Sequence, residues 1–176
     1  MQARGPLMIE HRLIERMIAK IEQALTKAEQ TGKIDPLFVD QAVDFIRIYA
    51  DRTHHGKEED ILFRDLKTRE LSEADRQVMN ELIEEHRYGR KITKTLNEAN
   101  EDYRQGNPEA LGAITGALHT LVDFYPRHIE KEDKVFFPAA RAYFSEEQDQ
   151  AMLAEFMEFD RKMIHEKYTL MVEELE

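Results

Sequence analysis

One ordered set of chemical groups occurs twice in this sequence. The segment Glu10-His11-Arg12 returns 75 residues later as Glu85-His86-Arg87. A second segment, residues 54–59 (His-His-Gly-Lys-Glu-Glu) with Phe63 after it, returns 74 residues later as residues 128–133 (His-Ile-Glu-Lys-Glu-Asp) with Phe137 after it. Self-similarity at a fixed spacing is the signature of a duplicated structural unit. The repeat therefore predicts two copies of one hairpin, related by an approximate two-fold axis.

Few helix breakers interrupt the 176 residues, which contain 5 prolines and 7 glycines, and 35% of the residues are charged. Such a composition favours long helices over strands. Helix starts are indicated at Asp35-Pro36, Ser72, Asn107-Pro108 and Ser145. We expect an all-α fold in a single domain over residues 1–176, with an up-down-up-down four-helix bundle at about 7–142. An additional C-terminal helix is expected at about 145–175, with Phe156, Met163 and Met171 among its apolar residues.

Composition also excludes several functions. The chain has no cysteine, so disulfides and thiolate metal sites are excluded and any metal must be held by nitrogen and oxygen ligands. A formal net charge of -11 disfavours nucleic acid as a partner. No apolar run reaches the length needed to cross a membrane, and the first residues lack the apolar core of a signal peptide. A cytoplasmic protein is the expectation.

The repeat also selects which histidine of the adjacent pair faces inward. His54 and Glu58 share one helical face, and so do His55 and Glu59, because each pair is four residues apart. Alignment with His128 and Glu132 selects His54 and Glu58. We therefore expect His55 to point outward, and Lys57 and Lys131, which fall outside the inward face, to lie on the surface.

Six side chains are expected to converge inside the bundle from four helices: His11, His54, Glu58, His86, His128 and Glu132. Burying so many titratable groups without partners costs several kcal/mol. A metal removes that cost. Imidazole and carboxylate ligands suit iron, manganese or zinc, and two cations that share two bridging carboxylates balance the charge of Glu58 and Glu132. The pattern predicts a binuclear metal site.

These residues, at this spacing over about residues 7–140, resemble the hemerythrin family and specifically its bacterial cation-binding branch with a His-His-Glu element. The resemblance implies a non-haem di-iron centre of two carboxylate-bridged iron ions, with His11, His54, Glu58, His86 and His128 at ligand positions. For the fourth-helix carboxylate, the family offers either Asp133 or Glu132. The repeat and the helical geometry favour Glu132. His165 is a further ligand if the C-terminal helix crosses one end of the bundle.

The chain departs from oxygen-carrying members of that family at Arg90, where they have a second histidine one turn after the third-helix ligand. The departure implies fewer nitrogen ligands and a more open site, and Arg90 either hydrogen-bonds a bridging carboxylate or a bound anion, or is solvated. The resemblance implies binding of dioxygen or a related small molecule for carriage, storage or sensing. The alternatives are an enzyme acting on nitric oxide or peroxide, an iron donor in iron-sulfur cluster repair, and a bundle in which metal serves only as a staple.

Overall fold

The structure is a computed structural model that describes residues 2–173. It does not describe the side chain of residue 168 or the side chains of residues 170–173. All the regular elements in this part of the chain are helices. They are α1 (Arg4–Thr31), α2 (Pro36–Phe45), π1 (Ile46–His55), π2 (Glu58–Phe63), α3 (Arg64–Leu66), α4 (Glu73–Arg104), α5 (Ala110–Lys131), π3 (Glu132–Phe136), α6 (Phe137–Arg141) and α7 (Glu146–Glu173). The all-α prediction is confirmed.

Several helices are joined end to end. The elements from α2 to α3 form one continuous helical run over residues 36–66, and those from α5 to α6 form another over residues 110–141. With α1 and α4 they make four helical runs, which contact one another in a closed ring: α1 against α5, α5 against α4, α4 against α2, and π1 against α1. The chain is thus a helical bundle, and the up-down order of its helices stays a prediction.

Side-chain caps begin three of the helices where the sequence indicated. The Asp35 carboxylate accepts a hydrogen bond from the Leu37 amide (3.0 Å), and Ser72 Oγ accepts one from the Asp75 amide (3.1 Å). Ser145 forms a reciprocal capping box with Gln148 ahead of α7. Asn107 instead holds a turn, so α5 begins only at residue 110, after Pro108.

The apolar core falls into two clusters. One contains Ile14 and Leu96, and the other contains Leu7, Leu82 and residues of α7. His11 lies between Leu7 and Ile14 on α1 and is fully buried. A polar layer therefore crosses the bundle between two apolar regions, which shield it from water on both sides.

The C-terminal helix α7 lies alongside the second helical run and antiparallel to it. Arg64 makes a two-pronged ion pair with Glu155 (2.7 and 2.9 Å), and Arg52 pairs with Glu166 (2.7 Å), so numbers rise along one partner as they fall along the other. Phe156 and Met163 are buried, as the sequence predicted. The side chain of Met171, and the expected helix end near residue 175, lie outside the described residues.

Gly56 lies where the second run packs closely against α7. A Cβ atom at residue 56 would lie 2.8 Å from Cζ of Phe159. We expect Gly56→Ala to displace that ring and to lower the free energy of unfolding by about 1–3 kcal/mol. Gly116→Ala is the matched control, because nothing lies within 4 Å of its Cβ position, and it should stabilise the protein by roughly 0.5–1 kcal/mol. Thermal or urea unfolding checks both, and equal effects would contradict the close packing.

Among the described residues, no helix combines the length and apolar character needed to cross a membrane.

Candidate metal centre

Three π-helical segments carry most of the residues at the polar layer. A π-helix has hydrogen bonds between residues five apart, one more than in an α-helix. At the end of π1, the backbone amide of Gly56 donates to the carbonyl oxygen of Asp51, five residues earlier. Residues five apart thus share a face, and His55 lies on the same side as the buried Ala50. Both His54 and His55 consequently point into the bundle.

Seven buried side chains form two adjoining groups. The first subsite contains His11, His54, Glu58 and Glu132, and the second contains His55, His86 and His128. Within each group, the possible ligand atoms all lie within 4.8 Å of one another. The structure thus brings together all six of the side chains that the sequence pointed to and adds His55.

Glu58 and Glu132 face both subsites. Glu58 Oε1 lies 3.7 Å from His54 Nε2, whereas its Oε2 lies 3.4 Å from His86 Nε2. Glu132 Oε2 lies 3.0 Å from His11 Nε2, and its Oε1 lies 3.3 Å from His128 Nε2. Each carboxylate therefore presents one oxygen to each subsite, which is the arrangement of a carboxylate bridge between two cations.

The inward nitrogen and oxygen atoms face one another without well-directed hydrogen bonds. In the part of the chain that the structure describes, no well-directed hydrogen bond reaches Nε2 of any of the five histidines or either carboxylate oxygen of Glu58 and Glu132. Buried polar atoms are normally satisfied, and each that is not costs about 1–3 kcal/mol. Lone pairs from five imidazoles and two carboxylates suit a pair of divalent cations. The residues present therefore fit a binuclear metal site.

Each histidine has an outer carboxylate that fixes its ring. In all five, Nδ1 faces an acid: Glu10 for His54 (2.9 Å), Asp133 for His11 (2.8 Å), Glu59 for His86 (2.7 Å), Glu85 for His128 (2.7 Å) and Asp51 for His55 (3.4 Å). A carboxylate at Nδ1 holds the proton there and leaves Nε2 as a lone-pair donor. Asp133 thus occupies an outer position, whereas Glu132 faces the subsites.

The outer carboxylates have cationic partners of their own. Lys57 binds Glu10, and it also donates to Asp160 on α7 (2.7 Å). The expectation that Lys57 lies on the surface is wrong: its side chain is 0% exposed, because α7 covers it. Lys131 binds Glu85 in the same way but is 30% exposed, since α7 packs against the helical run that carries Lys57. Arg12 binds Asp133.

The two halves of the repeat support each other across the bundle. Phe63 from the first half stacks on His86 from the second (5.8 Å between ring centroids, 12° between planes). Phe137 from the second half stacks on His11 from the first (5.7 Å and 12°). Such equivalent contacts are what a duplicated hairpin predicts, and both phenylalanines also belong to the neighbouring apolar cluster.

The buried carboxylates control the charge on two histidines in the metal-free chain. Burial opposes a charge on His11, but Asp133 and Glu132 outweigh it and raise the pKa of His11 to about 10. Burial likewise opposes a charge on His86, and Glu132, Glu58 and Glu59 raise its pKa well above the ordinary value. Burial lowers the pKa of His55, with His86 and His128 adding to the effect.

His55 is the residue that the sequence analysis misplaced. It is 2% exposed instead of facing outward, and its ring stacks on that of His86 with centroids 3.9 Å apart. The repeat misled because residue 129, its counterpart, is isoleucine. Two adjacent histidines in one helix are the feature of the sequence that could have indicated a second inward side chain. In this helix, the π-helical register brings both to the inward side. The structure thus offers one more imidazole nitrogen at this layer than the sequence analysis counted.

Two other histidines lie away from the centre. His165 is exposed on α7, and His119 is 58% exposed and pairs with Glu29. Neither belongs to the two groups of possible ligands. The Arg90 guanidinium binds the outer carboxylates Asp51 and Glu59 (2.7 Å each), and not a bridging carboxylate.

Replacement of His55 by isoleucine, the residue found in the other half of the repeat, should remove one donor from the second subsite without leaving a cavity. We expect the variant to retain about one tightly bound metal ion per chain instead of about two. His119→Ala, which alters only an exposed ion pair, should retain both. Metal analysis after dialysis checks this, and full metal content in His55→Ile would show that His55 is no ligand.

Comparison with known proteins gives one family. A family model described as "Hemerythrin HHE cation binding domain" matches residues 6–140, which is more than half of the chain. Comparisons with curated proteins and with solved structures gave no significant match. The matched residues include all seven side chains of the two subsites, and α7 lies beyond them.

Proposed function

Because the chain belongs to the hemerythrin HHE cation-binding domain family, we propose that it is a non-haem di-iron protein that binds dioxygen or a related small molecule for carriage, storage or sensing. The observation that carries the proposal is the set of five inward Nε2 atoms and two bridging carboxylates, all buried and without other partners. A pair of iron ions in such a site supplies reversible one-electron redox chemistry and affinity for small diatomic ligands.

The donor count supports a site with one open end. The first subsite has two imidazoles, His11 and His54, whereas the second has three, and both share Glu58 and Glu132. The first subsite therefore offers fewer protein donors, and it is where we expect an external ligand to bind. The protein's part is to hold the donors rigidly through their outer carboxylates and to exclude water with Phe63, Phe137 and the apolar clusters.

A shortage of nitrogen ligands, inferred from Arg90 in place of a histidine, favours two alternatives. These are turnover of nitric oxide or peroxide, and iron donation for cluster repair. His55 supplies the fifth imidazole, so that argument no longer favours them over reversible binding. A purely structural staple is disfavoured because two apolar clusters, one on each side of the polar layer, already form the core.

The test is anaerobic metal analysis of freshly purified protein, followed by an optical spectrum as air is admitted. We expect about two irons per chain and a charge-transfer band that appears with oxygen and disappears when oxygen is removed. Zinc alone, or no metal, would overturn the di-iron proposal. Consumption of peroxide or nitric oxide over many turnovers, without a reversible band, would replace the binding function with an enzymatic one.

A further inference from the structure

The two halves of the repeat differ at three positions that are in contact with one another. The first half has His55 and Asp51 where the second has Ile129 and Tyr125, and the second half has Arg90 where the first has Glu15. His55, Asp51 and Arg90 form one connected chain of contacts beside the second subsite. These three differences, among the many between the two halves, are therefore connected in space beside the second subsite.

One guanidinium joins two carboxylate–imidazole pairs. Arg90 Nε donates to Asp51 Oδ1 (2.7 Å), and that same oxygen faces His55 Nδ1 at 3.4 Å. Its Nη2 donates to Glu59 Oε1 (2.7 Å), and that oxygen accepts from His86 Nδ1 at 2.7 Å. The planar guanidinium thus sets the separation of the two acids that hold His55 and His86.

The rings that these acids hold are closely stacked. The centroids of His55 and His86 lie 3.9 Å apart with 11° between the planes, and both Nε2 atoms belong to the second subsite with that of His128. Two stacked imidazoles serve one cation only if both keep their proton on Nδ1 and aim their lone pairs at one point. Asp51 and Glu59 must therefore be held at a fixed separation from each other.

We propose that Arg90 is a positioning residue of the second subsite, whose guanidinium clamps Asp51 and Glu59 so that His55 and His86 present their Nε2 atoms to one metal ion. The proposal rests on metal binding at this centre and goes beyond it, because it makes the two subsites chemically unequal. Lysine keeps the charge but has no planar fork, so it cannot hold both acids at a fixed separation.

The experiment is a Zn²⁺ titration of the metal-free full chain, with Arg90→Gln and Arg90→Lys compared with wild type. Outer-shell losses typically cost 10–100-fold in metal affinity. We expect that loss at one of the two zinc ions in both variants, with Arg90→Lys the milder. Arg87→Gln is the matched control on the same helix, because Arg87 is exposed and pairs with the exposed Glu84, and the variant should bind zinc as wild type does.

Nitrogen-15 NMR of the zinc-loaded proteins separates positioning from general stability. Wild type should show protected Nδ1–H signals for both His55 and His86, and Arg90→Gln should lose or broaden these two while those of His11 and His54 persist. Unchanged signals with unchanged zinc affinity would overturn the role of Arg90 and leave the metal centre standing. Equal weakening of both zinc ions would also overturn it, and a wild-type chain that binds no zinc would overturn the site itself.

Discussion

Glu132→Ala is expected to abolish binding of the metal pair, lowering metal content from about two ions per chain to less than about one. Glu132 is fully buried and lies within 3.0–3.6 Å of Nε2 atoms from three histidines, which belong to both subsites. Its loss removes one donor from each cation and half of the negative charge that Glu58 and Glu132 place between them. Electrostatic repulsion between two cations then opposes their binding together.

Glu130→Ala is the matched control for this substitution. Glu130 lies on the same helical run two residues earlier, is exposed, and pairs with the exposed Lys134. It should leave metal content unchanged. Circular dichroism of the metal-free proteins shows whether the Glu132→Ala chain stays helical, which we expect because both apolar clusters are untouched. Two ions retained by a helical Glu132→Ala chain would contradict the bridging assignment.

Local chemistry made much of the fold predictable. Ser72 and Ser145 begin helices in the sequence and in the structure because capping depends only on a hydroxyl and the next few amides. The duplicated spacing selects His54 and Glu58 without knowledge of the tertiary structure, because residues four apart share one helical face. Both are buried at the polar layer.

The features that sequence reasoning missed depend on geometry beyond one α-helical turn. Placing His55 requires knowing that residues 46–55 have a π-helical register, and an α-helical template assigns it to the wrong face. The burial of Lys57 requires knowing that α7 docks there with Asp160 as a partner. A helix's own pattern shows which face is apolar, but not which neighbour that face covers.

Metal binding at pH 7 should release at least about one proton per chain, from His11, with a further contribution from His86. Without metal, burial opposes the charge on these two imidazoles, but Asp133 and Glu132 beside His11, and Glu132 and Glu58 beside His86, outweigh it and raise the pKa of each above its ordinary value of 6.5. A cation needs both Nε2 lone pairs, so those protons must leave. Calorimetry in two buffers with different ionisation enthalpies measures the number released, and a value near zero would contradict the proposed ligands.

The same protonation makes the stability of the metal-free protein depend on pH, and it makes the metal-bound protein depend on pH much less. The folded pKa of His11, about 10, lies above the unfolded value, so its charged form stabilises the metal-free fold fully below about pH 6.5, and that stability is lost as pH rises towards 10. Metal affinity instead rises with pH over this range, because fewer protons must be displaced. Thermal unfolding at pH 6.5 and pH 9 should therefore show that the metal-free chain is less stable at the higher pH. The difference in stability between the zinc-loaded and metal-free chains should be larger at pH 9 than at pH 6.5. If this difference in stability is the same at both pH values, the protons on His11 and His86 do not compete with the metal.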